Sequence, residues 1–180
     1  MEELSLHILD LVENSVAANC TWVSVRVIEN SIANSYIVEI EDDGRGMSAE
    51  TIVRVSDPFF TTRTTRKVGL GIPFLTIAAE QCQGRVEIVS TIGKGTCVSA
   101  YFERDHIDRA PLGDIAGTLV AIIAMHPDIN LNYCHQIDAR SFCLNSSEMR
   151  EICGDDLSHP KIVGWLMEYI AENEHQLEVL

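Results

Sequence analysis

The sequence predicts a two-layer α/β sandwich of the α+β kind, in which a mixed β-sheet carries its helices on one face. Segments with apolar residues at helical spacing are interspersed with segments in which apolar and polar residues alternate in period two. The chain of 180 residues is 46% hydrophobic and 22% charged, which is typical of a globular protein that buries a sizeable core. These observations favour one main domain, with room for a small second module.

The first helix is predicted over residues 3–18. Leu4, Ile8 and Leu11 follow helical spacing and would face the core. Asn19 is placed to end this helix, because asparagine tolerates the left-handed backbone conformation that often follows a last helical turn.

Two strands and a glycine-bearing loop follow the first helix. Residues 21–29 and residues 36–42 alternate in period two, and the turn over residues 30–35 separates them. The loop over residues 42–47 comes directly after the second strand. Ser48 then is a candidate N-cap for a short helix.

The next segment continues the pattern of helices and strands. Residues 57–72 show no periodicity and are rich in Thr, Arg and Gly, which predicts a loop. Helical spacing returns over residues 73–82, where Pro73 suits a first turn. Residues 85–91 and 96–103 alternate again and predict two strands joined by a turn.

The composition changes near residue 105, where we place a boundary between a domain over residues 1–104 and a module over residues 105–180. The first part holds 14 acidic and 9 basic side chains, net −5, and the second holds 13 and 4, net −9. Five of the six histidines lie in the second part. Periodicity predicts a small α+β module there, with elements over residues 113–125, 131–136, 140–145, 146–153 and 160–173.

The charge and the opening residues exclude several classes of protein. A net charge of −14 argues against binding to nucleic acid or to an anionic membrane, since both need basic surfaces. The apolar runs are too short to span a bilayer, and the acidic start at Glu2 and Glu3 is unlike a signal peptide. We therefore expect a cytoplasmic protein without a membrane-spanning segment.

The six cysteines include no CxxC pair. In a cytosolic protein we expect them to be reduced thiols. A zinc site built from Cys134, His135, Cys143 and Cys153 is the alternative, although their spacing matches no common ligand pattern.

Polar residues form a stripe beside the apolar face of the first helix. His7, Asp10 and Asn14 are spaced i, i+3, i+7, so Asp10 and Asn14 lie one turn apart on the same face. A carboxylate and an amide in this position, at the edge of a core-forming helix, make the stripe a candidate functional site.

Three glycine-bearing loops lie next to predicted elements, over residues 42–47 (DDGRGM), 69–72 (GLGI) and 93–96 (GKGT). Glycine lets a backbone approach a ligand closely, and a glycine-rich entry to a helix presents free N–H groups to phosphate. None of the three fits the P-loop or the Rossmann pattern, so those two nucleotide-binding folds are excluded.

In this order the segments resemble the motifs of the GHKL ATP-binding superfamily, which includes gyrase, heat-shock chaperones, histidine kinases and MutL. LDLVENSVAA (9–18) resembles the N box, DDGRGM the first glycine box, GLGI the second and GKGT the third. PFFTTR (58–63) resembles the F-box segment between them. The resemblance covers residues 1 to about 104 and implies an ATP-binding domain with the predicted fold.

The resemblance implies a role for four polar residues. Asn14 matches the asparagine that ligates Mg²⁺, a hard cation that prefers oxygen donors. Asp10 occupies the place of the glutamate general base of hydrolytic members. Asp42 matches the aspartate that accepts a hydrogen bond from the adenine amino group, and Thr96 matches the threonine that supports this contact.

The resemblance also places an ATP lid over residues 57–71. Arg63, Arg66 and Lys67 form the only cluster of three cations in this acidic chain and are candidates for phosphate contact. The remaining nucleotide contacts that it implies are Ala18, Gly44, Gly46, Met47, Phe60, Arg63, Lys67, Gly69, Leu70, Gly71 and Ile72.

Three functions are compatible with the sequence. The first is a histidine-kinase-type protein that binds Mg²⁺ and ATP and acts as a kinase, an ATPase or an ATP-dependent regulator of a partner protein. The second is a non-catalytic nucleotide-sensing module, of anti-sigma-like or hydrogenase-associated type, whose acidic C-terminal part docks the partner. Asp10, one methylene shorter than glutamate, decides between these two. The third is a redox or metal protein that uses the C-terminal cysteines.

Overall fold

The computed structural model describes residues 3–55, 71–154 and 156–179. Their helices and strands are, in chain order, α1 (Leu4–Ala17), β1 (Trp22–Asn30), β2 (Ser35–Asp42), α2 (Ala49–Val55), α3 (Gly71–Gln81), β3 (Arg85–Thr91), β4 (Gly95–Glu103), α4 (Ile115–Met125), β5 (Asn130–Ile137), β6 (Arg140–Asn145), α5 (Ser146–Cys153) and α6 (Pro160–Val179).

The strands form one sheet in the order β3-β4-β2-β1-β5-β6. β5 lies parallel to β1, and the other neighbouring strands pair in antiparallel fashion. The sheet is therefore open and, as the sequence predicted, mixed.

Side-chain alternation decides which face of the sheet is buried. On β1, Val23, Val25 and Val27 point to the helix-covered face and are fully buried, whereas Arg26 points to the opposite face and is exposed. α1, α3 and α6 pack on the sheet, and α4 packs against α1 and α6. The predicted fold class is confirmed. None of the described helices combines the length and the apolar character needed to cross a membrane.

The ends of the first helices follow the local signals in the sequence. Asn19 has a φ of +59°, and its N–H donates to the carbonyl three residues earlier at 2.9 Å. Ser48 Oγ accepts from the N–H of Thr51 at 3.2 Å, which is the contact expected of an N-cap. Pro73 lies near the first described residues of α3 (Gly71–Gln81), and a proline fits the first turn of a helix because no N–H donor is needed there.

The C-terminal part of the chain extends the same sheet. The predicted strand pair over residues 131–136 and 140–145 is confirmed as β5 and β6, and β5 pairs with β1 along its whole length. This pairing leaves β1 in the interior of the sheet, and residues of α4 and α6 add to the same hydrophobic core. Strands on both sides of residue 105 thus share one sheet, and the division of the chain at that residue stays a prediction.

The prediction that the cysteines are reduced thiols is wrong for one pair. Cys134 on β5 and Cys143 on β6 lie directly opposite each other and form a disulfide. The register explains the pairing, because directly opposite positions of an antiparallel pair bring the two Cβ atoms within reach of a disulfide. The bond uses two of the four candidate zinc ligands. Across the described residues no group of three or more His, Cys, Asp or Glu side chains is arranged to hold a metal ion.

His135 lies at the centre of a buried polar cluster between β1, β5 and α6. Its Nδ1 lies 2.6 Å from Glu174 Oε2, and its Nε2 lies 3.2 Å from Glu29 Oε1. Tyr133 donates its hydroxyl to the other oxygen of Glu174 at 3.0 Å, and Arg104 Nε donates to the other oxygen of Glu29 at 2.8 Å. Burial alone would lower the pKa of His135, but its two carboxylate partners outweigh that effect and raise the pKa to about 9.

Candidate functional site

A cavity of about 620 Å³ opens between the C-terminal half of α1, the end of β2 and the start of α3. Its volume falls in the range of about 300–1,000 Å³ that is typical of sites for small molecules. The predicted site residues that line it are Asn14, Ala18, Asp42, Gly46, Met47, Ile72 and Thr96. The fold therefore brings together residues from four separate motifs of the sequence.

Asp42 ends β2 and places its carboxylate at the cavity wall, with only 7% of its surface exposed. Its Oδ2 accepts from Ser15 Oγ at 2.6 Å, and its Oδ1 accepts from the N–H of Gly44 at 2.8 Å. These charge-assisted hydrogen bonds hold the carboxylate in one orientation. Because each carboxylate oxygen has a second lone pair, both can still accept from a ligand.

Thr96 stands beside Asp42 on the neighbouring strand. The two residues pair in the register of β2 and β4, so their side chains point to the same face. Thr96 Oγ1 lies 2.8 Å from Ser90 Oγ. Ser90 Oγ also accepts from the N–H of Met47 at 2.8 Å and donates to the carbonyl of Gly95 at 2.9 Å. Ser90 therefore ties the loop after β2 to the strand that carries Thr96.

Gly46 lets the loop after β2 lie close to the turn between β3 and β4. Its φ is +66°, and a Cβ at this position would lie 2.0 Å from the carbonyl oxygen of Thr91. The neighbouring carbonyl of Arg45 accepts from the N–H of Gly93 at 2.8 Å. This contact supports the loop and keeps Met47 at the cavity wall.

Apolar side chains form most of the remaining cavity wall. Leu11 of α1, Ile40 of β2, Ile72 of α3 and Val98 of β4 line it together with Met47. A cavity with apolar walls and a few convergent polar groups suits a flat ligand that carries hydrogen-bond donors at one edge.

Asp10 and Asn14 meet the first turn of α3. A Cβ on Gly71 would lie 3.1 Å from the Cβ of Asp10 and 3.8 Å from Asn14 Nδ2. This close approach brings the polar stripe of α1 beside the first described residues of α3, and the first N–H groups of a helix are in general free of a partner within it. A carboxylate, an amide and these N–H groups can together hold a phosphate and a cation.

The two ionisable groups of the stripe, Asp10 and His7, differ in environment. Loss of hydration raises the pKa of Asp10, although the residue is exposed, and the nearby Glu13 carboxylate raises it further, which favours the acceptance of a proton. His7 is only 2% exposed, and burial lowers its pKa to about 4. His7 is therefore neutral at pH 7 and lies outside the cavity lining, as a packing residue.

Five of the predicted nucleotide contacts lie outside the described residues, together with most of the predicted lid and the F-box segment. They are Phe60, Arg63, Lys67, Gly69 and Leu70.

Sequence reasoning missed two hydroxyl groups of the site, those of Ser15 and Ser90. Ser15 continues the apolar face of α1 and is 4% exposed, so a polar residue at a core position was the available signal. Ser90 carries no such signal, because it lies near the end of β3 and is only partly buried. Its role appears only when β3, β4 and the loop after β2 are placed together.

Comparison with known proteins identifies related sequences and a related fold. Residues 2–106 match the model of a family described as Histidine kinase-, DNA gyrase B-, and HSP90-like ATPase. Sensor protein kinase FleS of Pseudomonas aeruginosa is 35% identical over 108 residues, which cover 60% of this chain and 26% of that protein. Sporulation kinase C of Bacillus subtilis is 25% identical over 88 residues, which cover 49% of this chain and 20% of that protein.

A solved structure shows the same fold over a longer part of the chain. The structure of the Aquifex aeolicus MutL ATPase domain complexed with ADP superposes with a TM-score of 0.53 at 15% identity. The superposition covers 87% of this chain and 69% of that one. The similarity to the two kinases, in contrast, spans only a minor part of their length.

Proposed function

Since the chain belongs to the family of histidine kinase-, DNA gyrase B- and HSP90-like ATPases, we propose that it binds ATP with Mg²⁺ in the cavity beside Asp42 and Asn14. The bound nucleotide serves phosphoryl transfer to a partner protein or ATP-dependent regulation of that partner. The observation that carries the proposal is the buried Asp42 carboxylate, held by two donors at the wall of a cavity of suitable size.

The adenine base fits the end of the cavity formed by β2 and β4. The Asp42 carboxylate would accept from the 6-amino group, and Thr96 beside it would support this contact. The apolar side chains of Met47, Ile72 and Val98 would pack against the faces of the ring. This combination of one charged acceptor and apolar walls supports adenine as the base.

The phosphate groups fit the region where α1 meets α3. The amide oxygen of Asn14 would be a ligand of Mg²⁺, and the N–H groups of the first turn of α3, from Gly71 onward, would bind phosphate oxygens. Bound Mg²⁺ would neutralise phosphate charge and polarise the terminal phosphoryl group. An amide oxygen matches the preference of this hard cation for oxygen donors.

Asp10 would accept a proton from an attacking water or from the hydroxyl or imidazole of a partner. Its raised pKa suits this role, since a general base works best with a pKa near the working pH. Its short side chain supports a second candidate, in which the protein senses nucleotide without turning it over. In both cases we propose that residues 105–180, with a net charge of −9, dock the partner protein.

Calorimetric titration tests nucleotide binding. We expect ADP and a non-hydrolysable ATP analogue to bind, and Mg²⁺ to strengthen binding of the analogue. Asn14→Ala should remove the effect of Mg²⁺ and leave Mg²⁺-free binding of ADP within about threefold. If neither nucleotide binds at millimolar concentration, the proposed function is wrong.

A pair of substitutions at Asp10 separates turnover from sensing. Asp10→Asn should abolish ATP hydrolysis or phosphoryl transfer while ADP binding persists, because the amide cannot accept a proton. Asp10→Glu lengthens the side chain and should increase the rate if reach limits the reaction. Equal rates in the wild-type protein and in Asp10→Asn would exclude Asp10 as the base.

A further inference from the structure

Ser90 occupies a position at which the donor and acceptor roles of all its hydrogen bonds can be assigned. Its hydroxyl oxygen is within hydrogen-bond distance of three atoms: the N–H of Met47 at 2.8 Å, the carbonyl oxygen of Gly95 at 2.9 Å and Thr96 Oγ1 at 2.8 Å. A serine hydroxyl has one proton to donate and two lone pairs that accept. The three contacts therefore use its one proton and both of its lone pairs.

The chemistry of the two backbone groups decides where the protons lie. A carbonyl oxygen only accepts, so Ser90 must donate its single proton to Gly95. An N–H group only donates, so Ser90 accepts from Met47. The third contact is then possible only if Thr96 donates its hydroxyl proton to Ser90.

Thr96 consequently has no proton left for a ligand. Thr96 lines the cavity and pairs with Asp42 in the register of β2 and β4, so its Oγ1 offers a ligand only lone pairs, and the Asp42 carboxylate is an acceptor as well. The two donors that hold Asp42, Ser15 Oγ and the N–H of Gly44, are both directed at the carboxylate. This corner of the cavity wall therefore presents two adjacent acceptors.

We propose that Ser90 is a positioning residue that fixes Thr96 as a hydrogen-bond acceptor and thereby makes the site select purines with an amino group, rather than an oxo group, at position 6. A 6-amino group brings donors to the two acceptors. A 6-oxo group places an acceptor where the amino group brought donors, and the N1–H of a 6-oxo purine can serve only one of the two acceptors. The inference rests on the proposed function, because it concerns the base of the nucleotide bound in that cavity.

The test compares ADP with inosine 5′-diphosphate, which replaces the 6-amino group by a 6-oxo group and carries a proton on N1. Both dissociation constants are measured by calorimetry for the wild-type protein, Ser90→Ala, Ser90→Thr, Thr96→Val and the double variant of Ser90→Ala and Thr96→Val. The readout is the ratio of the dissociation constant of inosine diphosphate to that of ADP. A purely structural role for Ser90 would change both constants together and leave this ratio constant.

We expect Ser90→Ala to lower the ratio about fivefold, because the freed Thr96 hydroxyl can turn and donate to a 6-oxo group. Ser90→Thr retains the hydroxyl and should retain the wild-type ratio. Thr96→Val should lower the ratio by itself, and the double variant should show the ratio of Thr96→Val, since Ser90 acts through Thr96. Thermal unfolding shows whether each variant is folded, and Ser90→Cys, with its weak thiol donor, replaces Ser90→Ala if that variant does not fold.

The outcomes separate this inference from the proposed function. If the wild-type protein binds neither nucleotide, the proposed function fails. If the wild-type protein binds ADP but Ser90→Ala retains the ratio, or if the effects of the two substitutions on the ratio add, the role of Ser90 is refuted and nucleotide binding stands.

Discussion

The two ends of the helix-covered face of the sheet both hold buried polar side chains, but they differ in whether those groups are saturated. At one end, Asp42 lines a cavity, and each of its carboxylate oxygens receives one hydrogen bond and keeps a second lone pair. At the other end, both nitrogens of His135 contact carboxylates, and the remaining oxygens of Glu29 and Glu174 have donors of their own. The first arrangement can bind a ligand, whereas the second holds elements of the chain together.

This difference indicates that one end of the sheet serves stability and the other serves ligand binding. Glu29 belongs to β1, His135 to β5 and Glu174 to α6, so the closed cluster joins the C-terminal part of the chain to the middle of the sheet. Asp42, Ser15 and Thr96 join α1, β2 and β4 around the cavity. We therefore expect changes at the closed cluster to alter stability and changes at the cavity to alter ligand affinity.

The largest expected effect is on stability, from Glu174→Ala. Removal of one partner leaves a buried His135 cation without its shorter hydrogen bond and leaves the Tyr133 hydroxyl without its acceptor. We expect the free energy of unfolding to fall by about 3–5 kcal/mol. Urea denaturation measures it, and Glu168→Ala, an exposed carboxylate on the same helix, should change it by less than about 0.5 kcal/mol. Similar values for the two variants would contradict the importance of the closed cluster.

The second prediction concerns pH. The pKa of His135 in the folded protein is about 9, above the ordinary value of 6.5. A raised pKa means that its contribution is fully present below about pH 6.5 and is lost as the pH rises through about 9. We expect a loss of about 3 kcal/mol over this interval, measured as the free energy of unfolding at successive pH values. His135→Gln should show a flatter profile, which separates this titration from those of the buried thiols and phenols.

The third prediction concerns the cavity end of the sheet. Asp42→Asn retains the shape but removes the charge that accepts from the ligand, so ADP affinity should fall about 30- to 100-fold. Asp43→Asn is the matched control, because the Asp43 carboxylate accepts from Thr21 and Trp22 rather than facing the cavity. The control should bind ADP within about twofold of the wild-type protein. Equal loss of affinity in both variants would mean that the charge of the loop, and not Asp42 itself, is responsible.

Much of the fold could be predicted because its signals are local. Period-two alternation identified the strands, and single residues such as Asn19 and Ser48 marked helix ends. The pairing of β5 with β1 could not be predicted, since its partners lie more than 100 residues apart and no local pattern specifies their register. The disulfide between Cys134 and Cys143 and the cluster around His135 were missed for the same reason, because both depend on which positions face each other across strands.

The site shows the same division between local and distant signals. Asp10, Asn14 and Asp42 belong to recognisable motifs, so a role for each could be proposed from the sequence by resemblance. Ser15 and Ser90 act only through the positions of Asp42 and Thr96, which lie on other elements. Hydroxyl groups that orient another side chain leave no spacing pattern of their own in a single sequence.

The smallest expected effect is that of His126→Ala, which removes a second histidine–glutamate contact in a more exposed position. His126 Nε2 lies 2.7 Å from Glu13 Oε1, almost the same distance as between His135 and Glu174, but their side chains are 20% and 44% exposed instead of 1% and 9%. Water competes for the exposed pair, so His126→Ala should lower the free energy of unfolding by no more than about 1 kcal/mol. Urea denaturation of this variant beside Glu174→Ala therefore compares two histidine–glutamate contacts of nearly equal length. A loss as large as that of Glu174→Ala would show that contact geometry, and not burial, determines the stability of these pairs.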